Sequence, residues 1–186
     1  QPPTEFKIFI PLVINSCIQS FPYVPADYLY NEQAIANGIN TQRLAYGLPP
    51  LTLVPELTQS GRLHARDMAD HNFTSHTGSD GSTPDQRMTS ACYSWNKFGE
   101  NIGWGFNGDT NQMVDWWMNS PLHRAAILNS DFNDFGVGYA YNPNSDWQHY
   151  WTINFGSRIS SAGIETLPSI LSAFGDPDCE ILERCR

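Results

Sequence analysis

The chain of 186 residues is long enough for one domain of ordinary size, and 40% apolar with 13% aromatic residues can supply a dense core. Its formal net charge of -9, with only ten Lys and Arg, argues against nucleic acid and anionic membrane surfaces as partners. No apolar run approaches the roughly 18 residues of a transmembrane helix, so we expect no transmembrane segment.

The first 25 residues differ in composition from the rest of the chain. They contain several prolines and the apolar stretch Ile8–Ile18, which predict an extended arm lying on the domain and held through Cys17. Because the chain begins at Gln1 without an initiator Met, we expect a processed product.

Helical periodicity and capping residues predict five helices in the first two thirds of the domain. Pro55 and Pro121 each suit the first turn of a helix, and Thr83 and Ser120 are typical N-caps. The predicted helices run from Ala26 towards Gly47, from Pro55 to His71, from Pro84 to about Ser90, from Asp109 or Thr110 through Trp117, and from Ser120-Pro121 through Ile127.

Two strands follow, joined as a hairpin by the turn at residues 143–146. The first is predicted at Phe135–Asn142 and the second at Trp147–Phe155, where every second side chain is aromatic, His or Ile. After residue 158 Ser, Gly and Pro dominate. We therefore predict an arm at 1–25, a domain at 26–158 and a tail at 159–186.

The four cysteines, Cys17, Cys92, Cys179 and Cys185, show no zinc-finger spacing. An even number at scattered positions favours two disulfides in an oxidising compartment, with four reduced buried thiols as the alternative. We predict pairs Cys179–Cys185 and Cys17–Cys92, although counting alone allows each tail cysteine to pair with either of the other two.

Three separated blocks each offer one residue able to bind a metal or move a proton: His76, Glu100 and His123. Two imidazoles and a carboxylate that converge would form either a divalent-metal site or a hydrogen-bonded polar hub. The sequence predicts that their polar atoms lie within about 4–6 Å of one another. The alternative for Glu100, between Gly99 and Asn101, is a residue that only hydrogen-bonds loop amides.

Other charged and imidazole side chains favour structural roles. Arg87 and Arg124 are expected to pair with acidic groups. We expect His64 and His71 on the second helix to be packed or exposed rather than liganding. His149, within an aromatic strand, is expected to be buried and hydrogen-bonded.

Several catalytic motifs are absent, among them H-E-x-x-H, G-x-S-x-G and the P-loop. Residues 103–108 fit G-x-G-x-x-G, but without a strand-to-helix setting or an acid to bind ribose the segment does not indicate a dinucleotide site. Ser120 and His123 are close in sequence, yet no oxyanion-hole signature accompanies them.

Taken in order, the blocks of residues 28–157 resemble the CAP superfamily (cysteine-rich secretory, antigen 5 and pathogenesis-related-1 proteins), and within it the bacterial secreted branch. The matching segments are Asn40–Leu51, Leu63–Met68, Phe73–His76, Asp85–Arg87, Gly99–Ile102, Trp117–Arg124, Phe135–Tyr139 and Tyr150–Gly156. The resemblance implies an α+β fold, a three-layer α-β-α sandwich with a central cleft.

The same resemblance implies which residues line that cleft. His76 and Glu100 match family cleft positions, and His123 stands where the bacterial branch has its second His. Ser120 occupies the position at which animal members have Glu. By resemblance, His76, His123 and Glu100 are expected to hold zinc or another divalent cation.

Three hypotheses for function follow. The first is a secreted or cell-envelope binding protein, expected to be monomeric, whose cleft recognises a lipid, glycan or protein. The second is a metal-assisted hydrolase, a peptidase or esterase with Glu100 as base. The third is a structural or adhesive envelope module whose cleft is vestigial.

Overall fold

A computed structural model describes residues 25–158. The five helices are α1 (Ala26–Ala45), α2 (Pro55–His71), α3 (Pro84–Ser90), α4 (Thr110–Asn119) and α5 (Pro121–Ile127). The four strands are β1 (Thr52–Leu53), β2 (Trp95–Trp104), β3 (Asp134–Tyr141) and β4 (His149–Arg158). The predicted arm and tail lie outside the described residues, as do Cys17, Cys179 and Cys185.

Local chemistry accounts for where the helices begin. Pro55 is the first residue of α2. The same helix ends at its C-cap Asn72, which takes the left-handed conformation with φ 54°. Thr83 and Gln86 form a reciprocal capping box at α3. Asp109 caps α4 by accepting hydrogen bonds from the amides of Asn111 and Gln112. The helix predictions are confirmed to within a few residues.

The described strands form one mixed sheet in the order β1-β3-β4-β2. β3 and β2 both pair antiparallel with β4, while β1 pairs parallel with β3. α1, α4 and α5 cover one face and α2 with α3 covers the other. The architecture is therefore α+β in three layers, as predicted.

Three details of the sheet differ from the sequence prediction. The two-residue strand β1 was not predicted. β2 was not predicted because its segment contains Gly99 and Gly103 and lacks apolar alternation. Gly103 is required there, since a Cβ would overlap Met113 and come within 3.0 Å of Trp117. Trp147 was predicted inside the last strand but precedes it and is 50% exposed, because Gln148 takes φ 62° and interrupts the alternation.

The aromatic and β-branched residues of the sheet fill the core beneath α1 and α4. Val137, Trp151, Ile153 and Phe155 are fully buried there. Beneath α2, by contrast, β3 presents Gly136 and Gly138, and a Cβ at Gly138 would overlap the backbone of Gly61 and Arg62. Helix α2 therefore packs with its backbone directly on the sheet.

A buried guanidinium fixes the end of α1. Arg43 is fully buried and donates hydrogen bonds to the carbonyls of Pro49 (2.9 Å), Ile127 (2.8 Å) and Asn129 (2.9 Å). Burial lowers its pKa. Because it reaches both the loop after α1 and the end of α5, Arg43 ties α1 to α5.

Candidate functional site

Glu100 lies in the middle of β2, opposite Asn154 of β4, and not in a loop as the sequence suggested. Its side chain is only 2% exposed, yet both carboxylate oxygens are hydrogen-bonded. Oε1 lies 2.8 Å from His76 Nδ1, and Oε2 accepts from Arg87 Nη2 at 2.7 Å. A buried carboxylate requires such partners, so Glu100 organises the side chains around it.

Arg87 is the positive partner of Glu100, as predicted for this arginine. Its side chain is 9% exposed and also donates to the carbonyls of Ser82 (2.8 Å) and His76 (3.0 Å). One guanidinium thus binds the strand and two points of the loop that carries His76, one at His76 itself and one near the end of the loop. The backbone of that loop is fixed from α3.

His64 of α2 is fully buried directly behind Glu100. Its Nε2 donates to the carbonyl of Ser75 at 2.9 Å and lies 3.9 Å from Glu100 Oε1. Its Nδ1 has no hydrogen-bond partner among the residues that the structure describes. Burial lowers the pKa of His64 and the negative charge of Glu100 opposes that effect.

The sequence predicted only that His64 is packed or exposed, and missed its place beside the site. Its position nine residues after Pro55 on the buried face of α2 was the one available signal.

His76 differs from its neighbours in being half exposed, at 51% of its side chain. With Nδ1 donating to the buried carboxylate of Glu100, the free ring nitrogen is Nε2. Within residues 25–158 no hydrogen-bond partner holds Nε2. His76 therefore combines a fixed ring with a ring nitrogen that a bound group can use.

His123 of α5 is held by Ser120 rather than by Glu100. Its Nδ1 lies 2.8 Å from Ser120 Oγ, and its ring lies against Trp116 with centroids 4.9 Å apart. Asn101, next to Glu100, donates to the carbonyl of His123 at 3.0 Å. Burial lowers the pKa of His123, and the positive charge of His76 lowers it further.

The structure thus brings two of the three predicted cleft residues into direct contact and sets the third in their electrostatic environment. Among residues 25–158, no three His, Cys, Asp or Glu side chains form a group arranged to hold a metal ion. Metal binding by His76, Glu100 and His123 stays a prediction.

The remaining sequence predictions concern supporting side chains. His149 is hydrogen-bonded, as predicted, through Nδ1 to Tyr139 Oη at 2.7 Å. The prediction for Arg124 was wrong in the part of the chain described: it donates to Tyr46 Oη at 3.1 Å and lies over the Tyr46 ring. His71 is exposed and pairs with Asp67.

Comparison with known proteins identifies this arrangement of elements and side chains. The family model described as "Cysteine-rich secretory protein family", or CAP, matches residues 36–155. The chain belongs to the CAP family.

Two Bacillus subtilis proteins are similar in sequence to more than half of this chain. The Bacillus subtilis protein YkwD is 35% identical over 115 residues, 62% of this chain and 44% of its own length. The B. subtilis membrane protein YlbC is 30% identical over 128 residues, 69% of this chain and 35% of its own length. This CAP chain therefore spans less than half the length of the curated relatives it matches.

Solved structures from other bacteria share the fold. An outer surface protein of Borrelia burgdorferi superposes with a TM-score of 0.64 at 25% identity, covering 70% of this chain and 94% of its own. An extracellular SCP-domain protein of Bacillus anthracis superposes with a TM-score of 0.63 at 28% identity, covering 75% of this chain and 45% of its own.

No helix within residues 25–158 has the length and apolar character needed to cross a membrane.

Proposed function

We propose that this CAP domain is a secreted or cell-envelope binding module, and that its cleft around His76 recognises a polar group of an extracellular lipid, glycan or protein. The observation that supports it is the contrast between His76, half exposed, and the buried Glu100 that holds it. A ring fixed by a carboxylate presents its free nitrogen in one direction, as recognition requires.

A divalent cation fits this site in one way. Both oxygens of Glu100 are already bonded, so Glu100 suits the role of a carboxylate that orients His76 better than the role of a ligand. The Nδ1 atoms of His76 and His123 are both hydrogen-bonded, so Nε2 is the nitrogen of each imidazole that could coordinate a cation. A bound cation such as zinc would supply a positive centre for the ligand's oxygen atoms.

The hypothesis of a hydrolase with Glu100 as base has weaker support than the binding module. Both carboxylate oxygens of Glu100 are already held, Oε1 by His76 and Oε2 by Arg87, so neither is left to position a water molecule for attack. The contact between Ser120 Oγ and His123 Nδ1 resembles a nucleophile and its base. However, no third group among the described residues orients the other nitrogen of His123.

Zinc titration of the whole chain by calorimetry tests the proposed cation site. We expect His76→Ala and His123→Ala each to weaken zinc binding at pH 7.5 by about tenfold or more, since each removes one ligand. Glu100→Gln should weaken it less. His71→Ala is the matched control, because His71 is an exposed imidazole paired with Asp67.

Equal zinc affinity in His76→Ala and His71→Ala would contradict the cation site. Zinc-independent turnover in a peptidase and esterase panel, abolished by Ser120→Ala, would instead support a hydrolase. If neither zinc nor any extracellular ligand binds, the result would support the third hypothesis, a structural or adhesive envelope module.

A further inference from the structure

A concave site lined by aromatic side chains lies next to His123, whose ring packs on Trp116. It encloses about 510 Å³, between Trp104 at the end of β2, Phe106 in the following turn, Trp116 of α4 and Trp147 before β4. That volume falls within the usual range for sites that bind small organic ligands. None of the three cleft residues lines it.

The tryptophans are arranged as a row of tilted surfaces. The ring of Trp104 lies 6.0 Å from Trp116 at 59° and 6.4 Å from Trp147 at 54°. Trp116 is 37% exposed and Trp147 is 50% exposed. Large indole surfaces left in contact with solvent on both sides of a cavity indicate a binding surface rather than core.

The polar side chains at this cavity are Asn107, Asp146 and Gln148. Within residues 25–158, their amides and carboxylate make no side-chain hydrogen bond. Together they offer both donors and acceptors to a ligand. Among residues 25–158 no Lys or Arg lines the cavity, so the described part of the chain offers an anionic ligand no counter-charge there.

The walls of the cavity are held in an uncommon backbone conformation. Phe106, Asn107 and Gln148 have φ of 50°, 49° and 62°, and they are three of the five non-glycine residues with positive φ in the described part of the chain. Such conformations are costly for residues with a Cβ and concentrate at functional sites.

Contacts with β4 fix this turn. A Cβ at Gly108 would come within 2.8 Å of the His149 ring, and the amide of Gly105 donates to the His149 carbonyl at 2.9 Å. The glycines of the segment at residues 103–108 thus shape a turn that presents Phe106 and Asn107 to the cavity, which explains a glycine pattern that does not form a dinucleotide site.

We propose that this cavity, the Trp104–Trp116–Trp147 site, binds a neutral oligosaccharide. A pyranose ring has an apolar face of C–H groups that stacks on an indole, and a rim of hydroxyls that both donate and accept hydrogen bonds. Three tryptophans with two amides and a carboxylate match both parts. A quaternary ammonium, the other ligand of aromatic cages, needs the rings and the carboxylate but not the amides.

Glycan binding is measured with the whole chain against neutral β-1,4-linked tetramers of glucose and of N-acetylglucosamine, by calorimetry and tryptophan fluorescence. We expect saturable binding to at least one tetramer. Trp147→Ala should weaken it by about tenfold or more, since it removes an exposed stacking surface without disturbing the core. Asn107→Ala should weaken it less.

Two controls separate this site from the His76 cleft and from general loss of aromatic surface. Trp95→Ala removes an indole from the same strand as Trp104 but outside the cavity, and should leave binding unchanged. His76→Ala should weaken any zinc binding while retaining glycan binding. Absence of binding to both tetramers, equal binding by Trp147→Ala and Trp95→Ala, or binding of choline alone would each overturn the proposal.

Discussion

Arg87 and Glu100 form a buried ion pair, with Nη2 and Oε2 separated by 2.7 Å and side chains only 9% and 2% exposed. The pair joins α3 to β2 and, through Arg87, holds the loop that carries His76. The placement of His76 and the stability of the fold therefore depend on the same contact.

Removing one partner of this ion pair should be strongly destabilising. Arg87→Ala leaves Glu100 charged in a buried position, and we expect the free energy of unfolding to fall by about 3–5 kcal/mol. Urea denaturation of Arg87→Ala, Glu100→Gln and the double variant measures the coupling. The exposed pair Arg66–Asp70 is the control, for which Arg66→Ala should cost no more than about 0.5 kcal/mol. Equal costs at the two pairs would contradict the prediction.

His64 should make the fold less stable as the pH falls. Its folded pKa is lowered by burial, so the unfolded chain binds the proton more readily. Stability is then complete above the unfolded value of about 6.5 and decreases as the pH drops through that value towards the folded pKa. The lowered pKa values of His123 and His149 act in the same direction.

The contribution of His64 to this pH dependence is measured from the midpoints of urea denaturation between pH 7.5 and pH 5.5. We expect His64→Gln to be less stable at pH 7.5 but to show a smaller decrease with falling pH than the wild type. His71→Ala, which alters an exposed His, should retain the wild-type slope. An unchanged slope in His64→Gln would show that another group carries the pH dependence.

The proximity of His76 and His123 can be measured through their titration. Because the charge of His76 lowers the pKa of His123, His76→Ala should raise the pKa of His123. That pKa should nevertheless remain below the ordinary value, since burial is the larger cause. Proton NMR of the His123 imidazole measures its pKa in the wild type and in His76→Ala. No change in the pKa of His123 would argue that the two rings do not share one cleft.

A methyl group should not be tolerated where α2 meets β3. We expect Gly138→Ala to lower the free energy of unfolding by at least about 3 kcal/mol, because its Cβ would overlap the backbone of α2. Gly81→Ala is the comparison, since that glycine has φ 82° but open space around it. It should cost only about 1–2 kcal/mol through backbone strain. Thermal denaturation of both variants distinguishes steric overlap from strain.

The cysteine pairing remains a prediction that peptide mapping can test. We expect non-reducing digests to contain Cys17–Cys92 and Cys179–Cys185 peptides. The first bridge would close a loop of about 75 residues and contribute roughly 4 kcal/mol if loop entropy dominates. A peptide joining Cys17 to either tail cysteine would contradict this assignment.

The sequence predicted the elements whose signals are local. Proline at a first helical position and the alternation at Trp151, Ile153 and Phe155 were sufficient for the helices and the hairpin. β2 was missed because its glycines face side chains of distant segments, Met113 and Trp117 at Gly103 and Phe132 at Gly99, which the segment itself does not reveal.

For the candidate site, too, the sequence predicted what local signals carry and missed what depends on packing between distant segments. His76, Glu100 and His123 were identified by resemblance, but the partners of Glu100 depended on packing. Arg87 was predicted to pair with an acid, without indication of which one. The burial of His64 beside Glu100 depends on how closely α2 approaches the sheet, and the aromatic cavity depends on a turn with positive φ.

The backbone contact between α2 and β3 has a consequence for how the family can vary. His64 lies one helical turn beyond Gly61, and the position of that turn is set by main-chain atoms against Gly138 rather than by side-chain volume. Substitutions that resize the apolar core under α1 and α4 can therefore accumulate without moving the imidazole behind Glu100. The position of His64 thus depends less on that core than the position of His123, because α5, which carries His123, contributes Ile127 to it.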